Sequence, residues 1–287
     1  MNARRRFRVR LKKRSSKSHK GDYGRVFILA GSKGLAGAAH LAGMGALRSG
    51  AGLVTVGVPE KIYGVVARRE AEVMVKPFAS TANGSLSLKA LPDIRRFLKT
   101  QDVCGLGPGL SQHPQTQKLI RDLVSKAEGP IVIDADGLNA FRGHEGALKK
   151  HRRPLILTPH PGEFQRLFGG KVSHDDAGRK KQAGGIAKQF GVVMILKGHR
   201  TVVAAPDGKI YRNTTGNPGM ATGGTGDVLT GVVAALLGQG LKPFEAACAG
   251  VYIHGLAGDL AAKKVGQLSL TAGDIIQYLP AAIRKAV

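Results

Sequence analysis

The chain has 287 residues, 43% hydrophobic and 22% charged, enough to bury a large core, which excludes a disordered tail or a disulfide-stapled mini-protein. Its net charge is +25, but ten of those charges (Arg4, Arg5, Arg6, Arg8, Arg10, Lys12, Lys13, Arg14, Lys17 and Lys20) precede the first acid, so residues 1–18 read as a basic extension and 19–287 as one globular domain. Cys104 and Cys248 form no CxxC pair, which argues against a disulfide framework or a cysteine zinc site, and the longest strongly apolar stretch, Val228–Leu237, is too short to cross a bilayer; no apolar run follows the basic N-terminus as a secretory signal requires, and a cytoplasmic location is expected.

In chain order, nearly continuous apolar runs recur at Arg25–Gly31, Gly52–Pro59, Asp102–Gly107, Pro130–Asp134, Pro154–Thr158 and Val192–Lys197. Such runs predict strands covered on both faces. A small-residue helix opens within Gly31–Ala42, and Leu119, Leu123 and Val124 keep helical spacing through Pro114–Ala127. Glu163–Phe168 reads as the first turns of another helix, with Phe164, Leu167 and Phe168 facing the core. Thr201–Ala205 and Lys209–Arg212 flank Pro206-Asp207-Gly208, a hairpin signal. After Asp227 the chain turns helical, over Val228–Leu237, about Pro243–Val265, and from Thr271, where Asp274 completes an N-cap pattern. The expected fold is α/β in three layers, a mostly parallel central sheet with helices on both faces and an antiparallel hairpin near its end.

The strongest chemical signal is Asn217–Asp227, where Gly223, Gly224 and Gly226 precede an apolar helix. Glycines there let backbone N–H groups converge, and the helix N-terminus adds positive potential, so an anion fits without a lysine. Neither a Walker A motif nor a G-x-G-x-x-G pattern occurs. Asp227, in the first turn, can accept a hydroxyl proton, although Asp is equally a favoured N-cap. Asp134-Ala-Asp-Gly-Leu-Asn139 follows a strand and reads either as a Mg²⁺- or ribose-binding cluster or as an Asx-rich turn. His160, between Pro159 and Pro161, lies at a strand's C-terminal end with Glu163, where open α/β sheets bind ligands, but by itself it reads equally as a rigid loop residue. Lys197 by itself is a strand-end lysine.

These segments together, from Lys20-Gly-Asp-Tyr-Gly-Arg-Val through Ala30-Gly-Ser, Gly107-Pro-Gly109, Asp134–Asn139, Thr158-Pro-His-Pro-Gly-Glu163 and Lys197-Gly198 to Gly223-Gly-Thr-Gly-Asp227, resemble the NAD(P)H-hydrate dehydratase family of the ribokinase-like superfamily, in the family's order from about residue 19 to the C-terminus. The resemblance implies nicotinamide nucleotide repair: NADH or NADPH hydrated at ring carbon 6 is phosphorylated on its hydroxyl, with ADP favoured over ATP as donor, and phosphate is eliminated from the S epimer. It makes Asp227 the catalytic base and a substrate contact, and Gly223, Gly224, Thr225 and Gly226 the anion hole. Ala38, Gly107, Gly109, Asn139 and His160 would contact the hydrated dinucleotide. Lys197, Gly198, His199, Arg200 and Thr201, with Gly226, would bind the adenine nucleotide, and Mg²⁺ would bridge its oxygens, its protein ligands unassigned. A homotetramer is implied, and a separate epimerase or spontaneous epimerisation for the other epimer. The Arg-rich residues 1–14 match no family motif. Two alternatives stand beside this reading, a ribokinase-like kinase of a thiazole or pyrimidine alcohol and a basic nucleic-acid-binding protein, the latter disfavoured by the scarcity of aromatics.

Overall fold

The computed structural model describes Val9, Leu11 and residues 13–69 and 71–287. Nine strands form one sheet: β1 (Arg25–Leu29), β2 (Leu53–Pro59), β3 (Met74–Phe78), β4 (Val103–Leu106), β5 (Ile131–Ile133), β6 (Leu155–Leu157), β7 (Val193–Leu196), β8 (Val202–Ala204) and β9 (Ile210–Arg212). The order is β3-β2-β1-β4-β5-β6-β7-β8-β9. All pairs through β6–β7 are parallel, and β7–β8 and β8–β9 are antiparallel. The Pro206-Asp207-Gly208 turn closes the β8–β9 hairpin, with Gly208 at φ 89° and Gly208 N–H donating to the Ala205 carbonyl at 3.1 Å.

The helices are α1 (Ala36–Arg48), α2 (Tyr63–Ala67), α3 (Leu91–Leu98), α4 (Pro114–Ser125), α5 (Asp136–Asn139), α6 (Pro161–Phe168), α7 (Asp176–Phe190), α8 (Thr225–Gly238), α9 (Pro243–Val265) and α10 (Ala272–Ala286). Strand alternation divides the interior into two cores. Val26, Ile28, Val54, Val56, Val132 and Ile195 point to the layer of α1, α8, α9 and α10. Phe27, Leu29, Cys104, Ile131, Ile133, Met194 and Leu196 point to the opposite layer, which holds α3, α4, α6 and α7. Val228 through Leu237 are buried without a break, as a helix packed on all sides must be. A Cβ at Gly231 would lie 2.0 Å from the Ala42 carbonyl, and one at Gly45 would lie 2.5 Å from that of Val228. The small residues of α1 therefore serve close packing against α8.

Of the expected basic extension, residues 1–8, 10 and 12 lie outside the described residues. The described part lies against the domain. Val9 is buried, and its N–H donates to the Ala286 carbonyl at 2.8 Å. Arg14 donates to the Gly50 carbonyl at 3.0 Å and stacks over the Tyr23 ring. Strand β3 and helices α3 and α7 lie where no element was predicted: β3 is an edge strand carrying Lys76 and Pro77, so it lacks the apolar run of a central strand. No helix among the described residues is long and apolar enough to cross a membrane.

Candidate active site

Strand order reverses between β1 and β4, and β5, β6 and β7 continue outward on the β4 side. In such a sheet the ligand crevice lies at the strands' C-terminal ends. The segments after β1, β4, β5, β6 and β7 supply the residues singled out in the sequence, and the N-terminus of α8 closes the set.

The glycine run forms a bare helix start. Gly224, the N-cap of α8, has φ 87°, and a Cβ there would meet Leu41 Cδ1 at 2.4 Å, so only glycine fits. A Cβ at Gly223 would meet nothing within 4 Å, which leaves its backbone open. Val228 N–H is the first to find a partner along the helix, the Gly224 carbonyl at 3.2 Å. The N–H groups of Thr225, Gly226 and Asp227 precede it and have no intrahelical acceptor. They make an anion site at the positive end of α8. His254, buried on α9, donates from Nε2 to the Thr225 carbonyl at 2.9 Å; burial holds it neutral, its pKa pushed down to about 4.

Asp227 occupies the third position of α8, so it is not the cap. Its carboxyl makes no hydrogen bond to another described residue, and burial, reinforced by the Asp134 charge and opposed by Lys197, pushes its pKa up to about 7. Below Asp227 lies a buried polar cluster. Lys197 Nζ donates to Asp134 Oδ1 at 2.7 Å and lies 3.8 Å from Glu163 Oε2. Thr230 Oγ1 donates to Asp134 Oδ2 at 2.9 Å. Burial alone would lower the Lys197 pKa, but Asp134, Glu163 and Asp227 together raise it, so the ammonium stays charged. Burial raises the Glu163 pKa. A Cβ at Gly226 would come within 3.2 Å of Lys197 Nζ, so this glycine keeps α8 close over the cluster.

His160 is the N-cap of α6. Its Nδ1 accepts from Gly162 N–H at 3.0 Å, while Glu163 Oε2 accepts from His160 N–H at 2.9 Å, a reciprocal capping box. That arrangement leaves Nε2 as the protonated nitrogen on a ring whose side chain is 48% exposed. Burial, then Lys197 and Arg166, lowers its pKa. Asn139 donates to Asp136 Oδ1 at 3.2 Å, and Asp136 Oδ2 accepts from Ser111 N–H at 2.8 Å, which ties α5 to the loop after β4. Gly107 and Gly109 both have positive φ. A Cβ at Gly107 would overlap the Asp134 carbonyl, and one at Gly109 would lie 2.9 Å from the Cβ of Ala38. Gly109 therefore packs against Ala38, and the buried Gly107 packs against the backbone of Asp134 and Gly137.

Gly198, His199, Arg200 and Thr201 form the more exposed loop between β7 and β8. Arg179 donates to the Leu196 and Lys197 carbonyls, each at 3.1 Å, and fixes where it starts. Arg200 pairs with Asp176 at 3.2 Å, and Arg212 pairs with the same carboxylate. The Lys197 ammonium points away from this loop into the carboxylate cluster.

Among the described residues no three His, Cys, Asp or Glu side chains form a group that can hold a metal ion. Asp134 is occupied by Lys197 and Thr230, and Asp136 by Ser111 and Asn139. These residues do not make a protein cage for Mg²⁺. Sequence reasoning gave Asp134, Glu163, Thr230 and His254 no catalytic part. The available signals were a lone threonine one turn beyond Gly226 and a histidine within an apolar helix.

The NAD(P)H-hydrate dehydratase family model matches residues 26–281. The chain is 47% identical over 277 residues to the bifunctional NAD(P)H-hydrate repair enzyme Nnr of Moorella thermoacetica, covering 96% of this chain and 52% of that protein; it thus spans about half the length of that relative. It is 39% identical over 269 residues to the ADP-dependent (S)-NAD(P)H-hydrate dehydratase of Neisseria meningitidis serogroup B, covering 92% of this chain and 86% of that one. The crystal structure of the ADP/ATP-dependent NAD(P)H-hydrate dehydratase from Bacillus subtilis, co-crystallized with ATP and Mg²⁺, superimposes with a TM-score of 0.81 at 33% identity, covering 96% of this chain and 95% of that one. The chain therefore belongs to the NAD(P)H-hydrate dehydratase family and has the ribokinase-like fold.

Proposed function

We propose that the protein restores NADH and NADPH from the S epimer of their hydrates, using ADP in preference to ATP as phosphoryl donor. The observation that carries this reading is Asp227: a carboxyl with a pKa near 7 on the third of the three residues whose N–H groups are open at the N-terminus of α8. Hydroxide leaves a ring carbon poorly and phosphate leaves readily. Asp227 takes the proton from the ring hydroxyl as its oxygen bonds to the terminal phosphorus of the nucleotide, and the phosphoryl–nucleotide bond breaks, releasing AMP when ADP is the donor. The backbone of Gly223–Gly226 holds the charge on the transferred group. The carbon–oxygen bond at ring carbon 6 then breaks, carbon 5 loses a proton, and dihydronicotinamide and inorganic phosphate result. Lys197 and Asp134 act on the charge of Asp227 from beneath, and the half-exposed His160 ring, its Nε2 3.4 Å from Glu163 Oε1, contacts the dinucleotide. The loop from Gly198 to Thr201 receives the adenine nucleotide. Mg²⁺ bound with the nucleotide would neutralise part of its phosphate charge. The reading extends to one catalytic domain over residues 19–287 in a cytoplasmic homotetramer, with the other epimer supplied through an epimerase.

The test is to incubate the purified protein and Mg²⁺ with hydrated NADH and either ADP or ATP, following the near-ultraviolet absorbance of the reduced ring. Recovery with ADP exceeding that with ATP is expected. Nucleotide consumption with a thiazole or pyrimidine alcohol, and none with the hydrate, would overturn the reading in favour of another ribokinase-like kinase.

A further inference from the structure

A cavity of about 560 Å³ opens beside the site, lined by Gln112, Gln117, Asn139, Arg142 and Arg166. Every lining side chain offers an N–H donor, and none is a carboxylate. Other arginines around this end of the molecule are engaged: Arg121 on the Ala140 carbonyl, Arg179 on Leu196 and Lys197, Arg200 and Arg212 on Asp176. Arg142 and Arg166 have no side-chain hydrogen bond or ion pair with any described residue. Two guanidinium groups facing one cavity without a counter-charge repel each other, and an anion between them removes that cost.

The cavity is joined to the catalytic region by three contacts. Asn139 is one of its walls and is hydrogen-bonded to Asp136, two residues beyond Asp134. Gln112 is carried by the loop that Asp136 clamps through Ser111 N–H, and Ser111 itself is held at φ 71°. Arg166 folds back over the first turn of α6, its Nη1 3.4 Å from where a Cβ of Gly162 would lie. Its charge is among those that lower the pKa of His160.

We propose that this cavity is the subsite for a phosphate of the dinucleotide substrate, with Arg142 and Arg166 as its paired anion contacts. The proposal rests on the function proposed above and adds how the part of the substrate remote from the reacting ring is recognised. Two phosphates share this chemistry: the pyrophosphate present in both hydrates, and the 2′-phosphate that only the NADPH hydrate carries.

Arg142→Gln, Arg166→Gln and the double variant test it, with Lys126→Gln, an exposed residue remote from the cavity, as the control for lost charge. Equilibrium binding of NADH and NADPH, read by their own fluorescence, is measured beside kcat/KM for both hydrates and KM for ADP. The double variant is expected to lose about tenfold to a hundredfold in dinucleotide affinity and in kcat/KM, at an unchanged melting temperature and an unchanged KM for ADP. Loss on NADPH and its hydrate alone assigns the 2′-phosphate, and equal loss on both assigns the pyrophosphate. Dinucleotide binding indifferent to both substitutions, or a rise confined to the KM for ADP, overturns the subsite. A wild type that binds dinucleotide but does not repair the hydrate leaves the subsite standing and refutes the reaction.

Discussion

Lys197 Nζ reaches across β6 to donate to Asp134 Oδ1 at 2.7 Å, joining the C-terminal ends of β5 and β7 beneath Asp227. This contact places a positive charge beneath the carboxylate proposed as the base, and the ammonium opposes the burial that raises the Asp227 pKa. Lys197→Met should therefore move the acid limb of the kcat/KM profile to higher pH than in the wild type. It should also destabilise the fold by about 3–5 kcal/mol, since Asp134 is left as an uncompensated buried charge. Denaturant unfolding and a pH–rate series check both. A lysine that served only to hold a nucleotide phosphate would raise the KM for nucleotide and leave the limb in place.

With a pKa of about 7, Asp227 is half ionised near neutrality, so kcat/KM should climb tenfold per pH unit below about 7 and level above it. Asp227→Asn should remain folded and lose about a hundredfold to ten-thousandfold in turnover. Full turnover by that variant would remove Asp227 from the role of base.

The same carboxylate carries a stability signature. Its folded pKa lies above the ordinary 3.8, so between about pH 4 and 7 the folded state binds the extra proton and the carboxylate's contribution to stability falls as pH rises. Asp227→Asn removes that loss. The variant should match the wild type near pH 4 and exceed it at pH 8 by on the order of 2–4 kcal/mol, as read by denaturant midpoints.

His254 has the opposite sign. Its folded pKa is lowered from 6.5 to about 4, so the unfolded chain binds the proton between those values and stability is lost as pH falls through that window. His254→Phe should abolish this acid sensitivity. It should also cost about 1–3 kcal/mol at pH 8, because the Thr225 carbonyl loses a buried donor. Melting temperatures across pH 4–8 separate the two effects.

The glycines before α8 divide into structural and chemical roles. Gly224→Ala forces a side chain into left-handed backbone and onto Leu41, and should destabilise by about 1–3 kcal/mol. A Cβ at Gly223 meets nothing within 4 Å among the described residues. Gly223→Ala should melt like the wild type while its kcat falls, because the added methyl occupies space that the transferred phosphoryl group needs. Unchanged kinetics for Gly223→Ala would mean that no ligand approaches the backbone there.

Local order was legible in the sequence wherever local physics decides it. The apolar runs of β1, β5 and β7 and the glycine-to-helix transition at Gly224 each follow from residues close together in the chain. So do the Pro206-Asp207-Gly208 hairpin and the Thr271–Asp274 capping box. Helix α7 and strand β3 were hidden because tertiary packing overrides local preference. Helix α7 carries three glycines and little amphipathic pattern, and it is held through Arg179 and Ala183 against β7 and β8. Strand β3 is stabilised by pairing with β2 despite Pro77. The candidate site divides in the same way. Asp227 and the glycines before α8 could be singled out from eleven consecutive residues, Asn217 to Asp227, whereas the partners of Asp134 lie 63 and 96 positions away in Lys197 and Thr230. The sequence by itself determined where backbone N–H groups would be exposed and which carboxylate would stand beside them, since helix starts and glycine conformations depend on neighbouring residues. Only the tertiary structure decided that a buried ammonium would lie under that carboxylate and that two arginines with no partner among the described residues would face one cavity, because charges far apart in sequence meet only when the sheet has set its strand order.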